Sequence, residues 1–203
     1  MKTATKNLPE DFQPVFSIDL SKEVRILFIL NLAGLGIMAV SFLLLGLFAS
    51  LARPELKLPG LGGAFTINME TVLDLLRLLL VLVFFVLIHE LIHGFFFWLF
   101  THSIPRFGLG PSYAYAAAPE WYIPTRQYLV VGLAPLVLIA LGCLWVIGLG
   151  PRDWVLPAIF VAAFNTGGAV GDIWIIGRLL LGSTKNTLVN DNGHRVTFFD
   201  LRA

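Results

Sequence analysis

The stretch LVLVFFVLIHELIHGFFFWLF, Leu80 to Phe100, decides the architecture. It is apolar and aromatic almost throughout, yet it carries His89, Glu90 and His93. As a helix, a run of this kind is long enough to cross a hydrocarbon core, which takes about 20 apolar residues. An ionisable group at that depth is expensive, roughly 2.5 to 3.5 kcal/mol for Asp on the insertion scale, so a cluster of them implies a shared partner. At about 100° per residue, His93 lies about 40° from His89 and Glu90 about 100° from it, which places all three on one arc. Two imidazoles one turn apart can hold one tetrahedral metal, while a neighbouring glutamate that is not a ligand acts as general base on the water the metal activates. The expected cofactor is therefore zinc, with His89 and His93 as ligands and Glu90 as the catalytic base. The plainer alternative is that both histidines hydrogen-bond to adjacent helices.

Working outward, the chain has 203 residues, of which 57% are hydrophobic and only 13% charged, and its mean hydropathy is +0.83. A soluble domain of this length does not need so much apolar surface. Four segments are long enough to span a bilayer: about Arg25 to Leu51, Val72 to Phe100, Gln127 to Leu149 and Trp154 to Leu181. The fold class expected is an all-α membrane protein, a bundle of about four transmembrane helices with a small β-hairpin element. Residues 1–24 read as a polar N-terminal cytoplasmic segment, 25–181 as the transmembrane domain and 182–203 as a cytoplasmic tail. The first apolar run is too long for a signal-peptide core, so it is expected to stay as an anchor. Pro54, Pro59, Gly60, Gly62 and Gly63 mark an irregular loop after the first helix, and Gly150 to Asp153 reads as a tight turn. In the tail, TLV and RVTFF flank Asp191, Asn192 and Gly193, which is the pattern of a hairpin. A lone hairpin is marginal in water, and Ser112 to Ala117, with Tyr113 and Tyr115 on one face, is the strand expected to receive it.

Charge sets the orientation and excludes one class of partner. With four spans, ten of the fourteen Lys and Arg fall on the side of the two termini, so both termini are expected in the cytoplasm of a multi-pass cell-membrane protein. Net charge is +1 with no basic tract, so nucleic acid is not an expected partner, whereas the lipid bilayer is. Cys143, the single cysteine, lies inside an apolar run and reads as a small hydrophobe.

The third ligand should come from another helix. Asp172, in NTGGAVGDIW, is the deep carboxylate outside the motif. His89 is 17 residues and Asp172 is 18 residues beyond the starts of two helices that run the same way, which puts both about 26 Å from the outer end. Gly167, Gly168 and Gly171 offer a small-residue surface that would let so short a ligand approach, or would simply pack helices. Asn165 is a possible substrate or oxyanion contact, or a helix-to-helix hydrogen bond. Glu120 is the alternative third ligand, and an ion pair with Arg178 the alternative use of Asp172. His102 misses the metzincin spacing and is expected in solvent, as is His194; Asp74 and Arg77 read as an interfacial ion pair.

HELIH on one membrane helix followed by an Asn-to-Gly-Asp string on a later one resembles the putative zincin peptidase family of small bacterial and archaeal membrane proteins. More distantly it is similar to the site-2-type intramembrane metalloproteases. The resemblance covers roughly half the chain. It implies His89 and His93 as zinc ligands, Glu90 as base and Asp172 in the place of the site-2 aspartate. Ile173 stands where those proteases usually carry glycine, and NTGGAVGD is longer than their Asn-Pro-Asp-Gly. The resemblance also implies a membrane peptide or protein substrate that unwinds and pairs with a strand edge near the site, Ser112 to Ala117 being the candidate. The competing functions are a non-proteolytic metal-binding membrane protein, in transport, immunity or scaffolding, and a zinc hydrolase of lipid head groups.

Overall fold

The computed structural model describes residues 3–55, 69–110, 112–182, 184 and 186–201. Most of the loop expected around Pro59, Gly60, Gly62 and Gly63 lies outside them.

The helices are α1 (Val24–Ala52), α2 (Met69–Thr101), α3 (Thr125–Leu149), α4 (Arg152–Gly168) and α5 (Val170–Gly182). Three are long and apolar enough to cross a membrane, or four if α4 and α5 are counted as one span. The fourth segment, read as one span of about Trp154 to Leu181 with a glycine pair able to break it, is broken at Ala169. Two consecutive glycines, Gly167 and Gly168, weaken the helix there by about 1 kcal/mol each relative to alanine, and the Ala169 N–H closes the last turn on the Asn165 carbonyl at 2.9 Å. Large apolar side chains stand exposed along the long helices, among them Leu43 and Leu47 on α1 and Leu80, Phe84 and Leu87 on α2. Such a surface is unfavourable in water and matched to lipid tails.

The chain divides into two compact units. One comprises residues 1–32, 88–135 and 170–203, and it holds more β structure than the single hairpin expected. A four-stranded antiparallel sheet runs in the order β1 (Phe12–Asp19), β6 (Arg195–Leu201), β5 (Leu188–Asp191), β4 (Ile123–Pro124). A separate pair joins β2 (Arg106–Leu109) to β3 (Ala114–Ala117). The expected C-terminal hairpin is present as β5 and β6, with Gly193 in the left-handed conformation (φ 88°) that its turn requires. Its partner is corrected: the hairpin pairs with β1 and β4, whereas the strand within Ser112 to Ala117 pairs with β2. The N-terminal segment supplies β1, in which Phe12, Pro14, Phe16 and Ile18 alternate. Pro14 is tolerated because β1 is an edge strand and the register shifts between Pro14 and Phe16. The core of this unit is built from Phe97, Ile123, Leu179, Val189 and Phe198, so helices and sheet share one apolar interior.

The other unit comprises residues 33–87 and 136–169. Its helices meet through small residues: a Cβ at Gly167 would lie 2.6 Å from the Gly34 carbonyl oxygen. Phe42 and Phe160 pack as a tilted pair at 4.8 Å between centroids. Arg53 donates from Nη1 to the Gly150 carbonyl at 2.6 Å, satisfying a free acceptor just past the end of α3. Asp74 and Arg77 form the expected ion pair at 2.9 Å.

Candidate metal centre

The motif residues lie at positions 89–93 of α2, inside the first unit. One helical turn brings His89 Nε2 and His93 Nε2 to 3.1 Å. From the first turn of α5, Asp172 presents Oδ2 at 3.2 Å from His89 Nε2 and 3.5 Å from His93 Nε2. Donors bound tetrahedrally at about 2.0 to 2.1 Å are separated from one another by about 3.3 to 3.4 Å, so this triangle fits a zinc ion by size and by donor type. Its hydrogen bonding points the same way. His93 Nδ1 lies 2.8 Å from the Val131 carbonyl oxygen and donates to it, which leaves the lone pair of the neutral ring on Nε2. That lone pair faces another imidazole and a carboxylate oxygen. Acceptors converging in this way are stabilised by a cation between them.

Each of the three donors is placed by its helix. His93 is buried, and α3 supplies the carbonyl that orients it. At the next residue of α3, Gly132, a Cβ would meet the Ile176 side chain at 2.8 Å, and Ile176 is one turn beyond Asp172 on α5. Asp172 also sits near the N-terminal end of α5, where the helix dipole and the free N–H groups favour a carboxylate.

Glu90 is not part of the triangle. Its Oε2 is buried without a hydrogen-bond partner among the described residues, and the Ala116 backbone N–H faces its carboxyl group. Ala116 belongs to β3, so the two-stranded sheet lies against the catalytic motif. Gly94, next to His93, permits this: a Cβ there would meet the Phe107 ring at 2.5 Å and Pro105 at 3.2 Å.

Other residues singled out from the sequence fall elsewhere. Glu120 is exposed and ion-paired with Arg106 at 3.2 Å and Lys6 at 3.5 Å, so it does not supply the third ligand. Arg178 lies over the Phe16 ring at 4.9 Å instead of pairing with Asp172. Asn165 is buried and donates from Nδ2 to the Leu136 carbonyl at 3.3 Å, a helix-to-helix hydrogen bond within the second unit. Of the two readings of the glycines, Gly167 takes helix packing, against Gly34 and Met38 of α1, while among the described residues nothing lies within 4 Å of a Cβ added at Gly168 or Gly171. His102 is exposed with φ 52°, but His194 is not simply solvated. It sits between Tyr113 Oη at 3.1 Å and Tyr115 Oη at 3.4 Å.

Two contributors had no sequence signature. The Val131 carbonyl is a backbone group that any residue would supply. Asp191 was read only as a turn residue, yet it is buried, accepts from Tyr128 Oη at 2.7 Å and accepts from the Gly193 N–H at 2.8 Å. Burial raises its carboxyl above the ordinary value despite those two bonds.

Comparison with known proteins adds one finding. A family profile described as "Putative zincin peptidase" matches residues 82–186, a span that takes in the metal triangle, Glu90 and β3. No curated protein and no solved structure matches the chain.

Proposed function

The chain belongs to the putative zincin peptidase family, and on that premise we propose that it is a membrane-embedded zinc endopeptidase that cuts membrane or membrane-proximal polypeptides. The observation that carries this reading is the triangle of His89, His93 and Asp172 donor atoms, 3.1 to 3.5 Å apart, with Glu90 buried beside it. Zinc held there would polarise a scissile carbonyl and bring the pKa of a coordinated water to about 7. The chain's own residues do the rest. His89, His93 and Asp172 would hold the ion, and the Val131 carbonyl keeps His93 in the tautomer that can ligate. Glu90 takes the proton of the attacking water and delivers it to the leaving amine. Its buried carboxyl group is held apart from competing hydroxyl and ammonium donors, which suits a base.

Strand β3 favours a peptide over a lipid head group as substrate. The Gly110 N–H bonds the Tyr113 carbonyl at 2.7 Å, and pairing alternates along an antiparallel ladder. Ala114 and Ala116 therefore direct their N–H and C=O groups away from β2. Among the described residues no backbone group pairs with that edge, and it faces Glu90. An unwound substrate segment can add to it as a strand, which satisfies backbone groups that lipid would leave unpaired. Both termini are placed in the cytoplasm on the charge bias of the connecting segments.

The test is metal analysis joined to turnover. Purified wild-type protein should carry one zinc per chain, and His89→Ala, His93→Ala and Asp172→Ala should each lose it. Glu90→Gln should keep the zinc and lose about 10² to 10⁴-fold in turnover of a model transmembrane peptide. Zinc retention by all three ligand variants, or full turnover by Glu90→Gln, would overturn the proposal.

A further inference from the structure

The buried pair Tyr128–Asp191 lies outside the HELIH motif and outside the metal triangle, but its connections lead to both. Tyr128 is in the first turn of α3 and is buried; its hydroxyl donates to Asp191 Oδ2 at 2.7 Å. Its ring lies 6.4 Å from that of Phe97, which is one turn beyond His93 on α2. One turn further along α3, Val131 accepts from His93 Nδ1, and Gly132 makes the close contact with Ile176 beyond Asp172. Adjacent residues of α3 therefore touch the helices that carry two different ligands. On the α3 side neither contact involves a side chain: one is the Val131 carbonyl, the other the bare Cα of Gly132 against the Ile176 side chain. Both follow the rotation and height of α3 as a rigid rod.

The start of α3 is held at Thr125, whose N–H and hydroxyl both donate to the Thr187 carbonyl at 3.2 and 3.0 Å, and one turn further in by Asp191. Beyond the Tyr128 hydroxyl it accepts from the Gly193 N–H at 2.8 Å, and its own carbonyl accepts from the Ala118 N–H at 3.2 Å, just past the end of β3. The Asp191 carboxylate thus joins the hairpin turn to the start of α3, and the backbone carbonyl of the same residue holds the end of the strand whose Ala116 N–H faces Glu90. A buried carboxylate is retained at a cost, and the hairpin turn alone needs only the bond to Gly193.

We propose that the Tyr128–Asp191 pair is a positioning element of the metal centre, setting α3 so that Val131 and Gly132 hold His93 and Asp172 at zinc-binding separation. The C-terminal hairpin is then part of the metalloenzyme and not an appendage. This rests on the reading of the triangle as a zinc site, and the test separates the two.

Zinc affinity is measured by chelator competition on the full-length protein in detergent, with the visible spectrum of the cobalt-substituted form as a second readout. Tyr128→Phe keeps the ring against Phe97 and removes only the hydroxyl. It should weaken zinc binding by about 10 to 100-fold, the range for outer partners of ligating histidines, and shift the cobalt bands. Asp191→Asn should act in the same direction, and the double variant should be no worse than the weaker-binding single variant, because both substitutions break one interaction. Thr197→Val is the control for general damage to the hairpin: Thr197 lies on β6 and its hydroxyl bonds the Ser17 hydroxyl of β1 at 3.0 Å, away from α3. It should leave zinc affinity and spectrum unchanged. Unaltered affinity in Tyr128→Phe, or an equal loss in Thr197→Val, would overturn the proposal while leaving the zinc site intact. Failure of the wild-type chain to bind zinc would instead refute the site itself.

Discussion

Gly167→Ala tests whether the glycines of NTGGAVGD serve helix packing or metal approach. The new Cβ would lie 2.6 Å from the Gly34 carbonyl oxygen and 2.8 Å from Met38 Cβ, where ordinary contact begins near 3.4 Å. A backbone oxygen cannot swing aside, so the two helices must part locally by about 0.8 Å in an interior packed to near-crystalline density. Overpacking of this kind costs about 1 to 3 kcal/mol. At about 2 to 4 °C per kcal/mol for a chain of this length, Tm should fall by about 2 to 12 °C. Gly168→Ala and Gly171→Ala are the internal controls, since an added Cβ meets nothing within 4 Å at either position. Within helices they should be neutral or stabilising by up to about 1 kcal/mol. Thermal unfolding in detergent, with zinc content measured on the same preparations, distinguishes the outcomes. The packing account predicts a lower Tm for Gly167→Ala alone, with zinc content unchanged in all three. It is refuted if Gly167→Ala melts with the controls, or if Gly168→Ala or Gly171→Ala loses zinc.

Gly94→Ala addresses the contact between β2 and the catalytic helix. Its Cβ would meet the Phe107 ring at 2.5 Å, and a displacement of about 1 Å at a catalytic site can cost about 10²-fold in rate. Turnover should drop with zinc retained, and adding Phe107→Ala should restore part of it; no loss in the single variant, or no recovery in the double, contradicts the placement of β3 against Glu90. Asp19, at the end of β1, gives a pH prediction. The Ser21 hydroxyl, then Arg195 and Lys22, hold its carboxyl below the ordinary 3.8. A folded-state pKa lowered in this way contributes stability that is present above 3.8 and is lost as pH falls through the folded value. Acid unfolding of wild type should therefore steepen below pH 3.8 relative to Asp19→Asn, and superimposable curves would remove Asp19 from the account.

The long helices were legible because hydrophobic length is a strong signal: the expected bounds lie within three residues of those observed at each end. The two histidines were legible because the helical period alone brings 89 and 93 together. Asp172 was found by elimination and depth, and its helix proved to be a shorter one that starts only two residues earlier, at Val170. Sheet partners were less legible. The tyrosines of Ser112 to Ala117 do meet the hairpin, but through side-chain contact with His194 and not through the backbone ladder. Alternation in FQPVFSID was available as a strand signal, but residues 1–24 were read only as a polar segment. Pairing choice depends on which edges tertiary packing brings together, and local pattern carries no record of that.

The broken fourth span ties these pieces into one physical argument. A carboxylate in the middle of a continuous membrane helix is surrounded by satisfied peptide groups and gains nothing from them. The glycine pair ends α4 at Gly168, so α5 begins at Val170 and Asp172 stands in its first turn. There the helix dipole and the free N–H groups favour a negative charge by about 0.3 to 1 kcal/mol, and by up to about 2 where partly buried. His89 and His93 need no such arrangement, because neutral imidazoles are cheaper to bury than a carboxylate. In this chain the break puts Asp172, the carboxylate that lies beside His89 and His93, in the first turn of a helix.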